Sequence, residues 1–200
     1  MIHLDAPTSA LLDRLERYAA DNDAHAAERS QKMLNLERPT AELVYWLVAS
    51  SKRSRVLEIG TSNGYSAIWL ANALKLNSTD KVISIERDPA KAVAARENLK
   101  AASLTQRVEV IEGDATAICE SLAGPFDCIF FDADRVSAPA QLAVLLPKLT
   151  PDALLLADNA LSHPGEIAGY IAAVEATGEF DTLTVPVGKG LHIARRRNAP

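Results

Sequence analysis

The stretch Arg55–Ser66, Arg-Val-Leu-Glu-Ile-Gly-Thr-Ser-Asn-Gly-Tyr-Ser, decides how this chain folds. Val56, Leu57 and Ile59 form the short apolar run of a buried parallel strand, which stops in Gly60-Thr61-Ser62-Asn63-Gly64 before a helical pattern opens at Tyr65. Strand, glycine turn and helix in that order make a corner suited to a nucleotide. The glycines let a ligand approach the backbone, and the helix start offers N–H groups without partners.

Downstream of this corner the pattern repeats. Strand patterns at Val56–Ile59, Val82–Glu86, Val108–Glu112, Cys128–Asp132 and Leu154–Asp158 alternate with helical ones at Tyr65–Leu74, Ala90–Ala101, Thr116–Leu122 and Pro139–Leu149. Successive βα units predict an α/β fold, a three-layer sandwich with a doubly wound, mostly parallel sheet between helices. A helix near Glu166–Ala176 then leads to Phe180–Val185, a turn at Gly188-Lys189-Gly190, and Leu191–Arg195, which read as an antiparallel hairpin. Upstream, Leu11, Leu12, Leu15 and Tyr18 recur at helical spacing until Asp21-Asn22-Asp23, which reads as a turn. A second helix is expected over Ala24–Leu34 and a third after Pro39-Thr40, with Leu43, Val44, Leu47 and Val48 as its apolar stripe. The expected organisation is one domain over residues 1–200, with a helical N-terminal segment (1–50) ahead of the core (55–197).

Composition narrows the function. Two hundred residues at 48% hydrophobic can bury one sizeable core, and no linker-like stretch divides them. A net charge of −5 argues against a nucleic-acid partner, although Arg195-Arg196-Arg197 is locally basic and reads as a solvated tail. Cys119 and Cys128 have neither metal nor disulfide spacing and read as small core residues in a reducing compartment. Met1–Asp5 has no leader-like pattern and no run suits a membrane span, so a cytoplasmic, soluble protein with no membrane partner is expected.

The strand ends carry the chemistry. In an open α/β sheet, ligands sit beyond the carboxyl ends of the strands at the topological switch point. Here that rim holds Glu58 and Gly60, then Glu86, Gly113-Asp114, Asp132 and Asp158. Glu86 lies 22 residues past Gly64, the place of a ribose acceptor. A dinucleotide enzyme wants Gly-x-Gly-x-x-Gly, whereas this turn reads Glu58-x-Gly60-x-Ser62-x-Gly64. A carboxylate beside the turn repels a pyrophosphate and suits a ligand carrying an ammonium and a sulfonium.

Glu58–Ser66 followed by Ile85-Glu86-Arg87-Asp88 resembles the class I S-adenosylmethionine-dependent methyltransferases. Phe130-Phe131-Asp132-Ala133-Asp134, Ala157-Asp158-Asn159 and Pro186-Val187-Gly188-Lys189-Gly190-Leu191 resemble, more narrowly, the catechol and caffeoyl-coenzyme A O-methyltransferases. The resemblance runs from about Met33 to Arg196 and implies a Rossmann-like sheet of seven strands whose last strands include an antiparallel one, with the N-terminal helices as a lid. It implies that Gly60, Ser62 and Gly64 line the methionine part of the cofactor, with Ser66 near its carboxylate. It further implies Glu86 on the ribose, Asp114 and Ala115 against the adenine, Asp132 near the amino group, and Met33 in the covering segment. Arg38–Glu42 departs from the family's Pro-Glu-x-Gly pattern. A homodimer is a further implication of the resemblance.

Asp132, Asp158 and Asn159 match the family's divalent-cation ligands. Two carboxylates and an amide oxygen suit Mg²⁺ or a similar hard ion. The competing reading is a helix cap at Asp158-Asn159 and a polar loop at Asp132–Asp134. Where the family has a basic lysine this chain has Arg135, which stays protonated and is a poor proton acceptor. The family's tyrosine three residues on is Ala138 here. Arg135 is therefore expected to support an ionised acceptor electrostatically, and His163, in a loop on the substrate side, is a candidate replacement base that equally suits a surface turn. Trp46 and Trp69 read as packing residues and His192 as a strand-face residue. The leading expectation is metal-assisted methyl transfer from S-adenosylmethionine to a small-molecule hydroxyl, catechol-like or phenolic. The rivals are a cofactor-binding module without turnover and, less well supported, a dinucleotide oxidoreductase.

Overall fold

The computed structural model describes residues 2–74 and 80–197. Seven strands form one sheet: β1 (Arg55–Ile59), β2 (Lys81–Glu86), β3 (Val108–Glu112), β4 (Phe126–Phe131), β5 (Leu149–Ala157), β6 (Phe180–Val185) and β7 (Leu191–Arg196). Their order is β3-β2-β1-β4-β5-β7-β6; the first five are parallel, and β7 runs antiparallel to both β5 and β6. The chain leaves β1 toward β2 and β3, then returns to lay β4 on the other side of β1. The switch point is thus between β1 and β4, and the glycine turn leaves β1 there.

Alternation along each strand divides the core in two. Val56, Val82, Cys128, Phe130, Leu154 and Leu156 face helices α1 (Ala6–His25), α2 (Arg38–Ser50), α3 (Tyr65–Ala73) and α4 (Pro89–Ala101). Leu57, Ile59, Ile85, Ile129, Phe131 and Leu155 face α5 (Ala115–Ser121), α6 (Ala138–Leu145) and α7 (Pro164–Ala176). Burying each such side chain contributes about 1.5–3 kcal/mol. A sheet buried on both faces explains why its strands read as near-continuous apolar runs. Cys119 and Cys128 are both buried and free. No helix among the described residues is long and apolar enough to cross a membrane.

Four expectations for the N-terminal quarter need correction. Asp21-Asn22-Asp23 is not a turn: α1, capped by Asp5 accepting from the Thr8 amide (2.7 Å), continues through it to His25. Nor is Ala24–Leu34 a helix of its own: Ala24 and His25 finish α1, and beyond them there is only a 3-10 turn at Arg29–Gln31 in otherwise irregular chain. Both departures have one cause. Asn22 donates to Gln31 O (2.9 Å) and Asp23 accepts from the Met33 (2.6 Å) and Leu34 (2.9 Å) amides, so these polar side chains tie down returning chain instead of breaking the helix. Trp46 is 64% exposed rather than core, because Ala41, Val44 and Val48 turn the other face of α2 inward. Tyr18 is likewise exposed, while Trp69 is buried as expected.

Asp132 and Asp158 lie one residue beyond β4 and β5 rather than ending them. The ladder still reaches them, with Asp132 N–H on Ile59 O (2.9 Å) and Asp158 N–H on Phe131 O (3.1 Å).

Candidate active site

The turn after β1 is built from left-handed residues: Gly60 (φ 106°), Ser62 (φ 47°) and Gly64 (φ 85°). Gly60 is required by close approach, since a Cβ there would stand 2.4 Å from Asp132 O. Gly64 answers to packing instead; its Cβ would meet the α4 backbone at Ala95 at 3.2 Å.

Glu86 at the end of β2 accepts the Ser62 amide on Oε2 (2.7 Å) and the Asp88 amide on Oε1 (2.9 Å). An ionised carboxylate offers about four acceptor positions, so the expected ribose hydroxyls still have places on it. Ser62 Oγ donates to Met33 O (2.6 Å), and Lys91 Nζ donates to Lys32 O (2.6 Å). The segment 26–37 is therefore strapped to the turn at Lys32 and Met33, and Asp23 ties the same stretch, Met33 and Leu34, back to α1. Asp23→Ala removes two amide-to-carboxylate bonds; a destabilisation of about 1–2 kcal/mol and faster proteolysis within 26–37 are expected. Unchanged proteolysis would show that Asp23 does not hold the strap.

Ser66 is buried in the first turn of α3. Asp114 caps α5 by accepting from the Ala117 amide (3.0 Å), and Ala115 is half-buried beside it. Capping alone accounts for Asp114. The Gly113 amide donates to Glu86 O (2.9 Å), which draws the start of α5 against the same rim.

Glu58 is fully buried on β1, and burial pushes its carboxyl up to about 7; Ser66 and Ser84 oppose the shift and Glu86 adds to it. Asp132 is also raised, first by burial and then by the charges of Asp158 and Glu58, against Lys189 and Arg135. Burial pushes Asp158 up to about 6. Asn159, left-handed at φ 68°, donates from Nδ2 to Asp158 Oδ2 (2.7 Å). Asp158 Oδ1 is buried with no partner among the described residues. The helix-cap alternative for Asp158-Asn159 does not hold for these side chains, because α7 starts at Pro164 with His163 before it. An acid pair with an unpaired buried oxygen, beside an amide, is a donor set that fits a hard divalent cation.

Arg135 and His163 are placed differently from one another. Arg135 donates from Nε (3.0 Å) and Nη2 (2.7 Å) to Glu166 Oε2, an ion pair on the first turn of α7. Its charge still acts on Asp132 and Asp158. His163 Nδ1 pairs with Ser162 Oγ (2.9 Å), and Ser162 Oγ in turn donates to Asn159 Oδ1 (3.3 Å), so the histidine sits one residue pair from the acid pocket. His192 is buried against Tyr170 on the α7 side of the sheet.

Sequence reasoning missed Lys189, whose loop carbonyls accept from the amides of residues 160–162: Ala160 N–H on Gly190 O and Leu161 N–H on Lys189 O (both 2.9 Å). In the sequence it stands as a turn residue within the family-like motif Pro186–Leu191, with no site role; in the structure its ammonium opposes the upward shift of both Asp132 and Asp158. Thr61, Ser84 and Asp23 were missed too; a serine inside the apolar strand Lys81–Glu86 is itself a signal, because a buried hydroxyl demands a partner.

A doubly wound sheet with a β7 insertion, an acid-flanked glycine turn at the switch point and an acceptor carboxylate on β2 are the architecture of the class I methyltransferase fold. The chain belongs to the methyltransferase domain family, whose match covers residues 57–160. It is 34% identical over 139 residues to a catechol O-methyltransferase of Niastella koreensis, covering 68% of this chain and 62% of the relative. It is 37% identical over 123 residues to one of Mycobacterium tuberculosis, covering 61% and 55% respectively. The chain thus spans a little over half the length of these curated relatives. The crystal structure of an O-methyltransferase from Bacillus cereus in complex with SAH superposes with a TM-score of 0.81 at 26% identity, over 98% of this chain and 93% of that one.

Proposed function

We propose that this protein transfers a methyl group from S-adenosylmethionine to a hydroxyl of a small phenolic or catechol-like acceptor, with a divalent cation held by Asp132, Asp158 and Asn159. The observation that carries the reading is the acid pair of half-buried Asp132 and buried Asp158, just past the adjacent strands β4 and β5 beside the glycine turn, with Asp158 Oδ1 lacking a partner among the described residues. When bound, the cofactor supplies an electrophilic methyl and the cation a Lewis acid that lowers the acceptor hydroxyl's pKa.

The chain's own residues do the rest. Glu86 and the Gly60–Gly64 turn orient the cofactor, and the strap through Met33 and Ser62 keeps water away from it. Holding donor and acceptor in one pocket supplies the proximity that an in-line displacement needs. Arg135, protonated and paired with Glu166, cannot take the acceptor's proton; it adds positive potential beside the acid pair. His163 is the nearby group suited to receive a proton, with Nδ1 already engaged by Ser162.

Calorimetric titration with S-adenosylhomocysteine tests the first half; no binding at high micromolar ligand sinks it. A Mg²⁺ titration of catechol methylation tests the second, with Asp158→Ala expected to abolish metal-dependent turnover, a loss of at least about 100-fold. Equal activity in Asp158→Ala and wild type removes the metal role. Cofactor binding without transfer to any of a panel of phenols would favour a binding module instead.

A further inference from the structure

Beneath the glycine turn lies a buried relay of hydroxyls that the sequence motifs do not account for. Ser84 on β2 stands directly across from Glu58 on β1, and both are wholly buried. The Ser84 hydroxyl donates to Glu58 Oε2. A serine has one proton to give, so the 2.5 Å contact between Ser84 Oγ and Thr61 Oγ1 has Thr61 as donor. Thr61 belongs to the turn itself, anchored by its own amide and that of Gly60 on Ile85 O (3.2 and 3.0 Å). The donors therefore run in one direction, from the turn through Ser84 into one oxygen of Glu58. The other oxygen, Oε1, is buried and receives no hydrogen bond of good geometry among the described residues, although the Ser66 hydroxyl on the first turn of α3 lies near enough to steady the carboxylate.

A buried carboxylate oxygen left without a donor is costly, and its natural complement is a cation or N–H group arriving with a ligand. Glu86, the neighbouring acid, has an amide on each oxygen, so neither is left wholly without a donor. We propose that Ser84 is a positioning residue for the cofactor's amino-acid end: the Thr61–Ser84 relay pins Glu58 Oε2 and so aims Oε1 at the ammonium group. The proposal rests on the S-adenosylmethionine reading given above. It predicts that removing the relay weakens recognition of the ammonium and spares the nucleoside.

The test compares S-adenosylhomocysteine with 5′-methylthioadenosine, which keeps the adenosine and thioether but has no ammonium. Calorimetry on the full chain is expected to show Ser84→Ala losing about tenfold in affinity for the first and less than twofold for the second, with Ser84→Thr restoring wild-type affinity. Thr61→Val, which deletes the donor into Ser84, is expected to show the same selective loss at about threefold, and it carries the test should Ser84→Ala lack a cooperative melt. Equal losses for both ligands, or none, overturn the positioning role and make the relay simply part of the core. A wild-type protein that binds neither ligand overturns the cofactor reading itself, and this proposal with it.

Discussion

Glu58→Gln is expected to melt at a higher temperature than the wild type at pH 8 and to lose cofactor affinity by tenfold or more. Glu58 ionises near 7 in the folded protein, raised from 4.5 chiefly by burial. Between these values the folded state keeps a proton that the unfolded chain has already released. Stability therefore falls as pH rises from about 4.5 to about 7, and the loss persists above that. Glutamine keeps the shape and the Ser84 contact without the charge, so the two proteins should nearly coincide at pH 5 and diverge toward pH 8. The difference there is on the order of 2 kcal/mol, a shift of several degrees for a chain of this size. Scanning calorimetry from pH 5 to 8 checks it; a difference that does not grow with pH would show that Glu58 is not the strained acid. The residue then exemplifies a site that lowers stability in exchange for recognition.

Gly60→Ala is expected to be the most damaging small substitution at the rim. Its φ of 106° is unfavourable for any side chain, and the new Cβ would lie 2.4 Å from Asp132 O and 2.8 Å from Asp132 C. These are backbone atoms at the end of a central strand and cannot swing aside. A loss of about 3 kcal/mol or more follows, a fall in Tm of roughly 10 °C, together with displacement of Asp132 and loss of cofactor binding. Gly165→Ala is the control: no atom lies within 4 Å of a Cβ there, and the position is in helix α7, so Tm should hold or rise slightly. A Gly60→Ala protein as stable as the control would mean that the turn relaxes freely.

Much of this molecule was legible because it rests on local rules. Val56–Ile59 and its turn announced the switch point, and each later βα unit announced itself by an apolar run followed by helical spacing. The hairpin Phe180–Val185/Leu191–Arg196 was legible from its glycine turn. The N-terminal quarter was not, for a physical reason. Asn22 and Asp23 are turn formers by local preference, but here their side chains satisfy backbone amides and a carbonyl ten or so residues onward, a partner no window of sequence contains. Trp46 was misplaced because hydrophobicity alone does not say which face of α2 the sheet covers.

The same division runs through the site. Residue type and spacing were enough to single out Gly60, Glu86, Asp132, Asp158 and Asn159, since carboxylates at strand ends and glycines at a tight turn express their chemistry locally. Their energetic roles came only with the fold. Ser84 meets Glu58 because β2 lies beside β1 in parallel register, Arg135 is captured by Glu166 across 31 residues, and Asp158 Oδ1 is left without a partner among the described residues because Asn159 takes only its other oxygen. By itself the sequence determined the class of fold and the class of methyl donor, both written in short-range pattern. Which hydrogen bonds are made, which acid is strained and which charge is neutralised depend on strand neighbours distant in the chain, and only tertiary structure decides those.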